Sequence, residues 1–249
     1  MNFSPFVLWF LWNLAIAGII ISFVFLISLV KKRILWKVDK LVALSVWLIL
    51  GIVFLWFLPE VFSHGSIEPE TVGLLVLGGI LFFYILELFL HWHHCKDLWE
   101  DGHSHHNHDH ENSPLIAFGT FFDNTIHGVI LYSAFSIDVA FWIATTLAIL
   151  MHAIPQNIAN LLMNHKDTKY VYIAALGGIM GAILVYPFQE FFTNYNFHIL
   201  AIIAGWLLYT AMSDMLPSFK KKNEISQKIL YLLFMVIWIC IFLFLKTEV

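Results

Sequence analysis

Residues 115–163, LIAFGTFFDNTIHGVILYSAFSIDVAFWIATTLAILMHAIPQNIANLLM, decide the fold of this chain. They form two membrane-length apolar segments, 115–136 and 138–163, joined only around Ser136-Ile137. Each segment is long enough to cross the roughly 30 Å of hydrocarbon in a bilayer. It should do so as a helix, because a helix satisfies its own backbone hydrogen bonds there. The very short connection predicts that the two helices are antiparallel neighbours.

Both segments carry polar residues near their middle. Asp123, Asn124 and His127 share one helix face, because they are three or four residues apart. His152 and Gln156 share a face of the second helix for the same reason. Ionisable side chains are costly at the bilayer centre and mark ion pathways or binding sites there. Two such faces turned toward each other would supply carboxylate, imidazole and amide ligands, a set that suits a borderline divalent transition metal.

The composition places the chain among integral membrane proteins. Hydrophobic residues make up 60% of it, charged residues only 12%, and the mean hydropathy is +0.82. These values lie far from those of a soluble domain. No basic face for nucleic acid is present, so we expect the lipid bilayer and a metal ion as partners. The expected location is a cell membrane, either a bacterial inner membrane or a plasma membrane.

The hydropathy pattern predicts an all-α fold with eight spans in one domain, residues 1–249. The spans are placed at 6–30, 41–63, 71–92, 115–136, 138–163, 169–192, 197–217 and 226–246. Uniformly apolar runs of this length are typical of helices and not of barrel strands.

Basic residues fall on alternate connections. The odd connections hold Lys31, Lys32, Arg33, Lys37, Lys40, Lys96, Lys166, Lys169, Lys220, Lys221, Lys222 and Lys228. Lys246 is the one basic residue on the other side. The positive-inside rule then makes the odd connections cytoplasmic and leaves both termini outside.

The longest polar connection, residues 91–114, is predicted to be a cytoplasmic loop rich in metal ligands. It holds eight of the thirteen histidines and one cysteine: His91, His93, His94, Cys95, His103, His105, His106, His108 and His110. Solubility alone does not require histidine, so this density favours weak, multi-site binding of zinc-like ions. A solvated linker is the alternative.

With these features the chain resembles the Zrt/Irt-like (ZIP) metal transporters over nearly its whole length. The local motifs are Phe57-Leu58-Pro59-Glu60 at the end of the second span, Ile85-Leu86-Glu87 running into His91-Trp92-His93-His94-Cys95, and residues 204–217, AGWLLYTAMSDMLP. The resemblance implies a transporter bundle with an inverted repeat. Leu58-Pro59 and Leu216-Pro217 close two spans of opposite direction, as such a repeat requires.

The metal-site motifs depart from the family pattern. In the fourth span the family has histidine first and a carboxylate four residues later, whereas this chain has Asp123 first and His127 second. Ala153, Gln156 and Gly178 stand where carboxylates are usual. We therefore expect the two-metal arrangement of the family to be reduced to a single-ion site.

Three functions follow from these residues. The favoured one is import of a divalent transition metal, zinc first, as the transported substrate. The second is a metal-dependent intramembrane hydrolase, but the sequence offers no convincing general base for it. The third is a metal sensor that does not transport, which the missing carboxylates would explain.

Glu60 and Asp214 lie near span ends, where solvation explains them, and a role in ion access or exit is the alternative. A homodimer is left open.

Overall fold

The computed structural model describes residues 5–30, 45–90, 113–163, 168–215 and 225–247. Within those ranges the secondary structure consists of helices and turns, arranged as eight helices. They are α1 Pro5–Val30, α2 Ser45–Ser63, α3 Pro69–Leu90, α4 Ser113–Phe135, α5 Val139–Met163, α6 Thr168–Asn194, α7 Asn196–Thr210 with its continuation Ala211–Met215, and α8 Ile225–Thr247. Each overlaps one predicted span, and the all-α prediction is confirmed.

Six helices in the described ranges, α1 to α3 and α5 to α7, are long and apolar enough to cross a membrane. Over the described residues, α4 and α8 do not meet this criterion, and α4 carries the polar residues Asp123, Asn124 and His127 at its centre. The outer faces of the bundle are apolar: Leu29, Leu74 and Leu88 are more than half exposed. These features support a multi-pass membrane protein surrounded by lipid. The orientation of the termini stays a prediction.

Helices α2 and α7 share a local irregularity. Each contains one π-helical turn, Val53–Phe57 in α2 and Ala211–Met215 in α7. A Leu-Pro pair follows directly in both sequences, and Leu216-Pro217 lies outside the described residues. Helix α2 continues past Pro59 to Ser63, because a proline is tolerated in the first turn of a helical segment. Such π turns occur mostly at functional sites.

Two helix pairs approach so closely that glycine is required at the crossing. In the α4–α6 pair, a Cβ on Gly181 would collide with the carbonyl oxygen of Thr125. In the α3–α7 pair, a Cβ on Gly79 would collide with the carbonyl oxygen of Ile202. Small residues at interfaces let membrane helices come into van der Waals contact, which replaces the hydrophobic driving force that is missing in lipid.

Helix α4 lies at the centre of the bundle. It packs against α5 and against both halves of α6, while α1 covers α5 and α6 from one side. The Trp12 indole of α1 donates a hydrogen bond of 3.0 Å to the Thr146 hydroxyl of α5. Helix α7 packs against α3 and the end of α2. The polar centre of α4 is therefore enclosed by other helices and does not face lipid.

Candidate metal centre

Three of the predicted ligands come together where α4 and α5 pack. Asp123 and His127 are one turn apart on α4, and His152 lies opposite them on α5. The Nε2 atoms of His127 and His152 each lie 3.9 Å from Oδ2 of Asp123. The three side chains offer ligand atoms within 4.8 Å of one another. All three residues are at most 3% exposed. Their role as ligands stays a prediction.

These ligand atoms have no hydrogen-bond partner among the described residues. The atoms are Oδ2 of Asp123 and Nε2 of His127 and His152, and all are buried. Buried polar atoms are normally paired, and 3.9 Å is too long for a hydrogen bond. Tetrahedral zinc, with bonds of about 2.0–2.2 Å, would place neighbouring ligand atoms roughly 3.4 Å apart. The two edges that end on Asp123 are about half an ångström longer than this, and every edge of the triangle is within 4.8 Å, so the three side chains would draw together around such an ion.

His127 is oriented by its neighbour on α4. Its Nδ1 lies 3.3 Å from Oδ1 of Asn124, and Nδ2 of Asn124 donates a bond of 2.9 Å to the carbonyl of Ala174 on α6. The Trp206 ring of α7 lies 5.8 Å from the His127 ring. Asn124, a predicted ligand, is thus engaged at both ends of its amide group by protein atoms.

Gln156 lies one turn beyond His152 on α5 and is buried. Its side chain hydrogen-bonds the carboxyl group of Asp123. Since a carboxylate only accepts, the amide N–H of Gln156 is the donor in that bond. The predicted weak ligand therefore also holds the one carboxylate of the cluster.

Two of the positions at which the family usually has a carboxylate lie close to the cluster. Ala153 is fully buried on α5, next to His152. Gly178 of α6 lines a cavity of about 10 Å³ together with His127 and Asn13. A Cβ on Gly178 would meet only ordinary contacts, with the Asn124 carbonyl oxygen and Asn13 Oδ1 at 3.7 Å. The structure thus leaves room for a Cβ atom at Gly178, beside the cluster.

A second cavity, of about 20 Å³, lies against both histidine rings. Its other walls are mostly apolar and include Phe57 from the π turn of α2 and Leu207 of α7. Phe57 stacks on Phe141 of α5, with ring centroids 5.3 Å apart. The volume is enough for a water-sized group. The cavity therefore lies between the two histidine rings and apolar side chains of the two helices that carry π turns.

Sequence reasoning missed Asn13 and Trp206. Asn13 is a buried amide in the apolar helix α1, and its Nδ2 donates to the carbonyl of Trp9. A polar residue in the middle of a span was the available signal. Trp206 gave no signal, because aromatic residues are common in such helices. The hydrogen bond from the Tyr209 hydroxyl to Glu87, which joins α7 to α3, was also missed.

The remaining predicted residues lie elsewhere. Glu60 is half-buried near the end of α2 and is not part of the cluster. Asp214 belongs to the π turn of α7, and its side chain is outside the described part of the structure. Their role in ion access or exit stays a prediction. The predicted loop ligands His91, His93, His94, Cys95, His103, His105, His106, His108 and His110 all lie outside the described residues.

Comparisons with known proteins point to one group of relatives. No protein-family model matches the chain. Zinc transporter ZIP13 of Pongo abelii is 27% identical over 210 residues, which cover 76% of this chain and 61% of the relative. Zinc transporter ZIP13 of Rattus norvegicus is 25% identical over 238 residues, which cover 76% of this chain and 64% of the relative. Zinc transporter ZIP10 of Homo sapiens is 28% identical over 139 residues, which cover 51% of this chain and 17% of the relative.

These relatives are members of the ZIP family, so the resemblance predicted from the local motifs is confirmed. The chain spans about three-fifths of the length of the first two relatives. The relatives are named as zinc transporters and not as enzymes, which gives no support to the hydrolase alternative.

Proposed function

We propose that this protein moves zinc, or another borderline divalent metal, across a membrane through a single-ion site formed by Asp123, His127 and His152. One observation carries the proposal. Three buried, unpaired ligand atoms converge near the middle of two antiparallel membrane-length helices. One carboxylate and two imidazoles favour zinc, iron, nickel or copper over magnesium or calcium, which prefer more oxygen ligands. The named activity of the relatives points the same way.

The division of the site between two helices supports a transport role. Asp123 and His127 belong to α4, whereas His152 belongs to α5. A small displacement of one helix against the other would separate the ligands and release the ion. Pro155 lies inside α5 three residues after His152, where it removes a backbone hydrogen bond and weakens the helix locally. The proposed direction is inward, because the His-rich loop that the basic residues assign to the cytoplasmic side would receive incoming ions.

Zinc flux into proteoliposomes tests this function. Asp123→Ala, His127→Ala and His152→Ala should each abolish flux while expression survives, because each removes one of few ligands. Gln156→Ala should be milder, since it removes a hydrogen bond to Asp123 and only a weak ligand. His64→Ala is a matched control, because His64 is exposed and lies outside the cluster.

The alternatives give different results in the same preparation. Zinc binding without flux would identify a sensor, and release of product in parallel hydrolysis assays would identify an enzyme. Flux at the parent rate by the His127→Ala protein would refute the assigned site.

A further inference from the structure

Asn124 lies between two metal ligands and faces a third helix. It is 3% exposed, and it follows Asp123 directly and precedes His127 by three residues. Its Nδ2 bonds the Ala174 carbonyl of α6, and its Oδ1 faces Nδ1 of His127. The side chain thus connects a ligand on α4 to the backbone of α6.

The bond to Ala174 fixes which way the amide group points. A carbonyl oxygen only accepts hydrogen bonds, so the NH₂ end of Asn124 must face it. The oxygen end of Asn124 must then face His127. An amide oxygen also only accepts, so Nδ1 of His127 must carry the proton. In the neutral ring, Nε2 therefore holds the lone pair, and Nε2 is the atom that lies 3.9 Å from the Asp123 carboxylate.

Helix α6 is shaped to allow this contact. A Cβ on Gly177 would lie 2.2 Å from the carbonyl oxygen of Phe121 and 2.9 Å from Cβ of Asn124, so glycine is required where α6 approaches Asn124. Ala174 belongs to the last turn before an interruption at Leu176. There the Leu176 N–H bonds the carbonyl of Ile173, three residues earlier. Carbonyls in the last turn of a helix need partners outside the regular backbone pattern, and Asn124 supplies one.

We propose that Asn124 is a positioning residue that fixes the tautomer of His127 and fastens this ligand to α6, and is not itself a ligand of the ion. This rests on the proposed metal site. One amide group cannot hold both the Ala174 carbonyl and the His127 ring while turning toward the ion. Such partners of metal-binding histidines orient the ring and raise its basicity. Movement of α6 would then carry His127 with it.

The first test is the protonation pattern of His127 in the metal-free full-length protein, read from ¹⁵N signals of labelled histidine at mildly alkaline pH. The signals that disappear in the His127→Ala protein are those of His127. The parent should show a proton on Nδ1 only. Asn124→Ala should give a mixture of the two tautomers, because it removes the acceptor. Asn124→Asp should restore the Nδ1 proton, because a carboxylate also accepts. Asn157→Ala is the matched control, since Asn157 is an equally buried amide that bonds only within α5.

The second readout is zinc affinity by calorimetry together with X-ray absorption of bound zinc. Asn124→Ala should weaken binding at least about tenfold, with the number of nitrogen and oxygen ligands unchanged. Loss of one oxygen ligand with the Nδ1 proton retained would overturn the proposal and make Asn124 a ligand. Equal tautomer patterns in Asn124→Ala and Asn124→Asp would also overturn it. A parent that binds no zinc would instead refute the proposed site, whatever the tautomer.

Discussion

The glycine crossing between α4 and α6 allows a quantitative prediction for Gly181→Ala. The new Cβ would lie 2.1 Å from the Thr125 carbonyl oxygen, whereas ordinary contacts begin at 3.4 Å. The difference, 3.4 − 2.1 = 1.3 Å, is the distance by which the two backbones must separate. Neither atom belongs to a flexible side chain, so α4 and α6 must move apart.

That displacement should disable the metal site. Asp123 and His127 travel with α4, and a site built for a metal tolerates errors in ligand distance of only about 0.2 Å. A misplacement of about 1 Å can lower activity roughly 100-fold. We therefore expect zinc flux and zinc affinity to fall by about two orders of magnitude in Gly181→Ala.

Gly78→Ala is the control for this experiment. It makes the same change in another membrane-length helix, at an exposed position where a Cβ would have no neighbour within 4 Å. Both substitutions raise helix propensity by about 1 kcal/mol, so the contrast isolates the crossing. Flux in proteoliposomes and binding by calorimetry are measured on both proteins. Equal flux in the two variants would refute the assignment of α4 and α6 as a tight pair that holds the site.

The other predictions concern topology, the loop and stoichiometry. Tags at either terminus should be accessible from outside and the loop 91–114 only after permeabilisation, and a cytoplasmic N-terminus would contradict this. Replacing the histidines of residues 103–110 by serine should lower metal retention yet leave most flux, and complete loss of flux would give the loop a direct part in transport. The variant that lacks the loop histidines should bind one ion in metal titrations, because one carboxylate cannot offset the repulsion between two divalent ions. Ala153→Glu with Gly178→Glu should add a second ion, and two ions in the variant without these acids would contradict the single-ion site.

The sequence predicted the helices well because their lengths are set by the membrane. Residue 63 ends α2 and residue 135 ends α4, against predicted ends at residues 63 and 136. The approach of His152 to Asp123 also followed, since a short connection forces α4 and α5 together.

The features that the sequence did not predict depend on the rotation of each helix about its own axis and on contacts between helices distant in sequence. The bond from Asn124 to Ala174 joins residues 50 positions apart, and spacing along one helix gives no information about it. The same holds for Asn13 and Trp206, whose helices could have presented other faces to the site. The π turns were unforeseen because one extra residue in a helical turn leaves the hydropathy pattern almost unchanged.

The low hydropathy of α4 has a consequence for how the chain is made. One aspartate at a helix centre costs about 2.5–3.5 kcal/mol on leaving the translocon for lipid. Asp123 has that position in α4, and the helix that shields it on one side, α6, is synthesised later. Newly made α4 must therefore wait beside the translocon, or enter the bilayer as a hairpin with α5, until α6 arrives. Helix α4, which carries two of the three predicted ligands, therefore depends on its neighbours to enter the membrane.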